Sequence, residues 1–396
     1  MRILHVTPYY RDAWAYGGIP RIAAALAEAQ AVHGHAVTVW TTDAGTRDRL
    51  RPHRSRPNAR PRTDIVHGVT VHTFPNLSNS VAYSAQAFVP LGFRSHAARS
   101  AGAFDVAHLH ACRNLPGAWS ASALHRAGVP YVLAPNGTAP AIERFHLAKR
   151  TFDWLLGRRV LEGAARLIAV SDAERHHLLA LGAAADRIRV IGNPIVAAEF
   201  ASVPERGRFR AAHGVGDRPL VVFLGKLTPR KRVDIVLEAF AMLERVDARL
   251  AIAGNEMGAG RAARERARRP DLDGRVHFTG LLEGSDRLGA LADADVVVYP
   301  GEHEIFGLVP LEALLCGTPV IVAGDSGCGE VIASVGGGAI VPPGDARALS
   351  VAMAEMLLNR PRWDDAVAAA RAAIARRFDA PVIAAALEEV YAELRG

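Results

Sequence analysis

Lysine is nearly absent from this 396-residue chain: only Lys149, Lys226 and Lys231 stand among its 47 basic residues, the rest being arginine. Together with the heavy use of alanine, so lopsided a choice reads as coding bias. The formal charge of +7 is therefore a weak argument for a polyanionic partner. Cysteine is scarce too. Cys112, Cys316 and Cys328 are odd in number and lack metal-ligand spacing, which argues against a disulfide framework and fits a reducing cytosol. No apolar run approaches the ~18–20 residues of a membrane span, and the first apolar stretch, residues 3–7, is too short for a signal peptide. Zinc-finger spacing, basic-region heptads and the aromatic–basic motifs of RNA-binding modules are also missing, so nucleic acid is not an expected partner. The expectation is a cytoplasmic protein.

What the chain does have is an ordinary globular composition, half apolar and 22% charged, at a length that calls for more than one core. Short β-branched segments recur at 3–7, 36–41, 69–74, 105–109, 131–134, 167–170 and 188–191, then again at 220–224, 250–253, 276–278, 295–299, 319–323 and 339–341. Helical patterns intervene, among them 19–32, 143–163, 233–244, 285–292 and 308–316. Strands alternating with helices of this length imply parallel sheets covered on both faces. Residues 192–207 are punctuated by proline and glycine and read as a hinge. The expected fold is α/β, with two doubly wound Rossmann-like domains facing across a cleft. The first spans residues 1–195, the second 205–378, and residues 379–396 form a C-terminal helix that returns to the first domain. In such sheets ligands bind at the carboxyl ends of strands, so the loops there are where chemistry is sought.

Four such loops stand out. Glu304-Ile305-Phe306-Gly307-Leu308 follows a strand and opens a helix containing Pro310 and Glu312. The turn offers backbone N–H groups and a positive helix end to a phosphate, and the two carboxylates suit hydroxyl pairs on either side of it. A dipole-complementing Glu304 and a solvated Glu312 are the plain alternative. In the second loop, Gly225-Lys226-Leu227-Thr228-Pro229-Arg230-Lys231-Arg232, the glycine lets a ligand approach and the cations suit a diphosphate. Two of only three lysines fall here, which weighs against a merely solvated basic loop. His108 and His110 share one face of the strand 105–109 and its continuation, with His110 nearer the carboxyl end. It can exchange protons or hydrogen-bond a hydroxyl, or be a core histidine. Gly17-Gly18 enters a helix and suits a close-approaching anion or sugar, or a plain turn. A dinucleotide-binding glycine fingerprint is not found. The Asp271–Asp273 and Asp293–Asp295 pairs read as a turn and a helix end rather than a metal site.

In this order the four segments resemble the large retaining glycosyltransferase family 4, of the two-domain GT-B fold. The similarity runs from the Gly17-Gly18 loop to Pro343-Gly344-Asp345. Its most specific element is the pair Glu304 and Glu312, eight positions apart, flanked by Gly225-Lys226-Leu227 upstream and Gly317-Thr318-Pro319 downstream. The resemblance implies a nucleotide diphosphate hexose as donor, UDP before GDP, with no metal and no other cofactor. It implies that Glu304 binds donor-sugar hydroxyls, Glu312 the ribose, and Lys226 and Lys231 the diphosphate. Gly17, Gly18 and Gly225 line the site, backbone groups from Ile305 to Leu308 cap the phosphates, and His110 contacts the transferred sugar. Lys226 stands where many members have arginine, and Pro300-Gly301 where many have Pro-Ser. A front-face attack follows, the leaving phosphate taking the acceptor proton.

The acceptor is left open among a glycan, a lipid-linked sugar and a small molecule. Residues 46–64 carry seven arginines and little that is apolar, so they read as a loop. Peripheral contact with anionic lipid at the inner face of a membrane is one use for it; a solvated loop is the plainer one. A sugar-nucleotide 2-epimerase and a non-enzymatic nucleotide-sugar-binding protein are the alternative readings.

Overall fold

Strands with no polar face build the centre of the second unit's sheet. Leu220, Val221, Val222 and Phe223 have no exposed surface, nor have Val296, Val297 and Val298, as parallel strands covered on both sides require. Each such side chain contributes about 1.5–3 kcal/mol by leaving water. The computed structural model describes residues 1–45, 60–139, 150–243 and 246–395. The chain forms two units, Met1–Ile195 with Ala380–Gly396, and Val196–Asp379.

The first unit holds β1 (Arg2–Val6), β2 (Ala36–Thr42), β3 (Arg62–Val66), β4 (Val69–Phe74), β5 (Val106–His110), β6 (Tyr131–Ala134), β7 (Arg166–Ala169) and β8 (Ile188–Val190). They lie in the order β3-β4-β2-β1-β5-β6-β7-β8, all parallel except β3, which runs antiparallel to β4. The second unit holds β9 (Leu220–Leu224), β10 (Arg249–Ala253), β11 (Val276–Gly280), β12 (Val296–Tyr299), β13 (Val320–Ala323) and β14 (Gly338–Val341). Their order is β11-β10-β9-β12-β13-β14, parallel throughout. Both sheets are thus doubly wound, and each reverses its strand order once: between β1 and β5 in the first, between β9 and β12 in the second. The crevice at the carboxyl ends of such a strand pair is where ligands bind.

Several sequence expectations are refined. Residues 62–64, read as part of an arginine-rich loop, belong to the edge strand β3, tied to β4 by Thr63 Oγ1 and His72 Nδ1 at 2.8 Å. Charged side chains on an exposed edge hide its strand character. Residues 46–59, most of that loop, lie outside the described residues, as do 143–149 of the helix expected over 143–163. The described part of that helix is interrupted by a wider turn at Asp153–Gly157, where Arg113 holds Asp153 at 2.7 Å. Residues 196–204, read as linker, go with the second unit because Phe200 is buried there. The C-terminal helix Ala380–Glu393 packs on the helix Ile19–Val32 within the first unit. Cys112, Cys316 and Cys328 are free thiols. No helix among the described residues is long and apolar enough to cross a membrane.

Candidate active site

In the second unit, the strand pair at the reversal delivers the two motif loops side by side. The β9 loop carries Gly225, Lys226, Arg230 and Lys231; the β12 loop carries Glu304. Lys231 Nζ lies 2.9 Å from Glu304 Oε1, and Arg230 Nη1 donates to the same oxygen at 2.7 Å. Tyr299, the last residue of β12, donates its hydroxyl to Glu304 Oε2 at 3.1 Å and accepts a hydrogen bond from Lys231 Nζ. The ammonium also sits 4.3 Å above the Tyr299 ring centroid. Lys231 and Glu304 are both buried, 7% and 6% exposed. Burial drives the Lys231 ammonium below its ordinary pKa against the pull of Glu304. Burial alone would raise Glu304, but Lys231 and Arg230 outweigh it and hold the carboxyl below its ordinary value. Tyr299 is pushed well up by burial and by the Glu304 charge, so it acts as a neutral donor.

After Glu304 the chain turns into the helix Leu308–Leu315 through Gly307, whose φ of 79° suits glycine. A Cβ at Gly307 would collide with Cys328 Sγ. The peptide oxygen of Glu304 is fixed by the Cys328 N–H at 2.7 Å and by Ser326 Oγ at 3.0 Å. Among the described residues the N–H groups of Ile305, Phe306 and Gly307 have no acceptor, although all three residues are buried. Unsatisfied donors at a helix start beside a cation cluster make a receptacle for an anion. Gly225 lies against Tyr299 and Lys231, each about 3.8–3.9 Å from where its Cβ would be. Lys226 is half-buried in the same turn, its carbonyl accepting from the Thr228 N–H at 2.8 Å. Leu308 is half-buried at the helix start.

Glu312 has a partner of its own. It is 1% exposed and receives a hydrogen bond from Arg287, itself 5% exposed on the helix Gly284–Asp293. Arg287 also approaches Glu199 at 3.9 Å. Sequence reasoning did not assign Arg287 or Tyr299 to the site, and it offered Arg230 only among the loop cations suited to a diphosphate. Tyr299 had a signal, a polar tip at the carboxyl end of an apolar strand; Arg287 had none before its burial was known. The Asp293 carboxylate accepts from the N–H groups of Gly207 and Arg210 at 2.5 and 3.0 Å, a structural role.

In the first unit, the β1–β5 reversal brings together His5, His108 and His110, all at most 1% exposed. His5 Nδ1 and His110 Nε2 are 3.0 Å apart, and His5 Nε2 lies 2.7 Å from Gln30 Oε1. His108 Nδ1 meets the Tyr391 hydroxyl at 2.6 Å. Burial lowers His5 to about 4 and holds His108 and His110 well below the ordinary value, so all three are neutral at pH 7. Their nitrogens lie within 4.8 Å of one another. The rings are stacked, however, His108 on His110 at 4.3 Å and 6°. A metal lies in the plane of each imidazole that ligates it, so a stack suits hydrogen bonding better than coordination. Gly17, with φ 98°, and Gly18, which precedes the helix Ile19–Val32, are half-buried after β1. Glu174, unassigned from sequence, clamps the loops after β6 and β7 by accepting from the N–H groups of Gly137 and Val170 at 2.6 and 3.0 Å. Burial raises it to about 7.

Residues 205–373 match the family described as glycosyl transferases group 1, and residues 17–194 match the glycosyl transferase 4-like domain. The chain is 33% identical over 304 residues to the D-inositol 3-phosphate glycosyltransferase of Kribbella flavida, across 71% of each chain. Against that of Kineococcus radiotolerans it is 32% identical over 254 residues, 59% of this chain and 58% of the relative. Among solved structures, Anabaena HepE in complex with UDP-glucose superposes with a TM-score of 0.78 at 21% identity, covering 99% of this chain and all of that one.

Proposed function

From the premise that this chain belongs to the group 1 glycosyltransferases of family 4, enzymes of the GT-B fold acting on a nucleotide sugar, we propose that it transfers a hexose from UDP-hexose to an acceptor hydroxyl, without a metal and with retention at the anomeric carbon. The observation that carries this reading is the buried Lys231–Glu304–Tyr299 cluster, joined by the half-buried Arg230 and set beside three backbone N–H groups without acceptors among the described residues. The diphosphate takes Lys231, Lys226 and those N–H groups. Cations and amides fixed in a buried site stabilise the departing charge, which a metal would otherwise do. Glu304, relieved of Lys231, accepts from hydroxyls of the sugar, and Glu312 accepts from the ribose.

No side chain is placed as a covalent nucleophile in this reading. The acceptor oxygen attacks the anomeric carbon on the face the phosphate leaves. The carbon–phosphate-oxygen bond breaks as the new glycosidic bond forms, and the acceptor proton passes to the leaving phosphate oxygen. UDP is supported over GDP by HepE, solved with UDP-glucose. The relatives' name makes an inositol phosphate the first acceptor to offer, ahead of a glycan or lipid-linked sugar.

The test is purified protein in EDTA with UDP-glucose or GDP-mannose and inositol 3-phosphate, free glycans and lipid-linked sugars. The anomeric coupling of any product is read by proton NMR. An α-linked product from UDP-α-glucose supports the reading; a β-linked product, or turnover only with the GDP donor, overturns it.

A further inference from the structure

Five buried side chains in the first unit form one connected array. Gln30, on the helix Ile19–Val32, reaches His5; His5 reaches His110; His110 stacks on His108; and His108 reaches Tyr391 on the C-terminal helix. All are at most 1% exposed. Among the described residues, three nitrogens in this array have no hydrogen-bond partner: Gln30 Nε2 and, on the two stacked histidines, His110 Nδ1 and His108 Nε2. Both histidines line a cavity of about 10 Å³ at the carboxyl end of the sheet, with Asn136 and Asn193 on its wall.

A neutral imidazole carries one proton on two nitrogens, so a chain of imidazoles has a direction. The Gln30 carbonyl oxygen can only accept, and it is 2.7 Å from His5 Nε2, so that nitrogen bears the hydrogen. His5 Nδ1 is then a lone pair. At 3.0 Å it must take its hydrogen from His110 Nε2. His110 Nδ1, the unpartnered atom, is left as a lone pair too. An unpaired buried acceptor in a low-dielectric site gains strongly from any donor that reaches it.

We infer that Gln30 and His5 are positioning residues: they fix the tautomer of His110 so that its Nδ1 accepts a hydrogen bond from a hydroxyl of the substrate. The inference rests on the glycosyl-transfer reading for the identity of that hydroxyl, and on this unit's geometry alone for the tautomer. It explains why a glutamine is buried whole under a histidine stack. It also explains why the array excludes carboxylates: a carboxylate at position 30 would favour an imidazolium, and a protonated His110 would offer a donor on both nitrogens. Burial adds to this by keeping all three rings neutral.

The experiment is long-range proton–nitrogen NMR on protein labelled at histidine, with His5→Asn and His110→Asn used to assign the signals, alongside transfer kinetics. The expected result at pH 7 is His110 protonated on Nε2 and bare on Nδ1. Gln30→Met, which keeps the shape and removes the acceptor, should convert this to a mixture. It should also lower kcat about tenfold, the worth of one uncharged hydrogen bond, with KM for the nucleotide sugar little changed. Gln30→Glu, whose carboxylate favours an imidazolium, should not restore the neutral tautomer. His110 protonated on Nδ1, or a tautomer unmoved in Gln30→Met while His110→Asn abolishes transfer, overturns the relay alone. Full turnover in His110→Asn overturns the substrate role of His110, whatever the tautomer.

Discussion

Lys231 Nζ and Glu304 Oε1 are 2.9 Å apart, in a pocket where neither side chain is more than a tenth exposed. The residue proposed for the diphosphate and the residue proposed for the sugar therefore hold each other. In the proposed reading, the diphosphate exchanges one anion for another at Lys231 and releases Glu304 to the sugar hydroxyls. Glu304→Gln should then bind UDP within about threefold of the parent but lose most of the extra affinity for UDP-glucose, roughly one charge-assisted hydrogen bond or tenfold and more. Calorimetric titration of both ligands reads the ratio. An unchanged preference for UDP-glucose would remove Glu304 from the sugar site.

Arg287 and Glu312 are a second buried pair, 5% and 1% exposed. Breaking such a pair strands a charge and costs about 3–5 kcal/mol, whereas replacing both members by apolar groups is often close to neutral. Arg287→Met should be strongly destabilised in chemical denaturation. Arg287→Met with Glu312→Leu should recover most of that loss while binding UDP no better than the single variant. A double variant that regains both stability and nucleotide affinity would show Glu312 to be structural only.

Gly307 is held by two constraints at once, its φ of 79° and the Cys328 Sγ where a Cβ would go. Gly307→Ala pays left-handed strain of about 1–3 kcal/mol plus the collision. It should displace the turn that presents the Ile305 and Phe306 amides and weaken UDP binding by more than tenfold. Adding Cys328→Ala opens the space but leaves the dihedral, so half or more of the lost affinity should return. A double variant as weak as the single one would place the whole effect in the backbone.

Acid should destabilise the first unit through its histidines. Burial lowers His5 to about 4, from an ordinary value near 6.5. A depressed histidine binds protons more readily unfolded, so its contribution is complete above about pH 6.5 and is lost as pH falls toward 4. His108 and His110 act in the same sense. Glu174, raised to about 7, acts oppositely, since its folded form prefers the proton between about 4.5 and 7. His72 and His96 of the same unit are also lowered by burial, so five groups against one leave a net fall in Tm from pH 6.5 to 4.5, and His5→Asn should reduce it. A slope as steep in that variant would assign the acid sensitivity elsewhere.

Much of the fold is legible in the sequence because parallel strands covered on both faces are apolar runs, as Leu220–Leu224 is. The edge strand Arg62–Val66 was not, because its side chains face water and carry charge. Glu304 and Lys231 are legible because they fall in segments that follow strands, and Glu312 because it stands eight positions after Glu304 in the helix that comes next. Arg287 is not: its meeting with Glu312 is made by packing two helices, and nothing in the sequence around it marks it as buried. His5 reads as one more residue of an apolar strand. Its partnership with His110 depends on the register that sets His5 opposite His108, and Gln30 joins only because its helix lies over that pair.

The most direct test of the account is the initial rate of hexose transfer from UDP-glucose, for the parent and Lys231→Met, in EDTA and in millimolar magnesium. If Lys231 and the turn amides do the electrostatic work, the parent rate is the same with and without metal. Lys231→Met then falls by about 10²–10³, the cost of removing one preorganised group from developing charge. A parent that is silent in EDTA and restored by magnesium, or a Lys231→Met enzyme at parental rate, would contradict it.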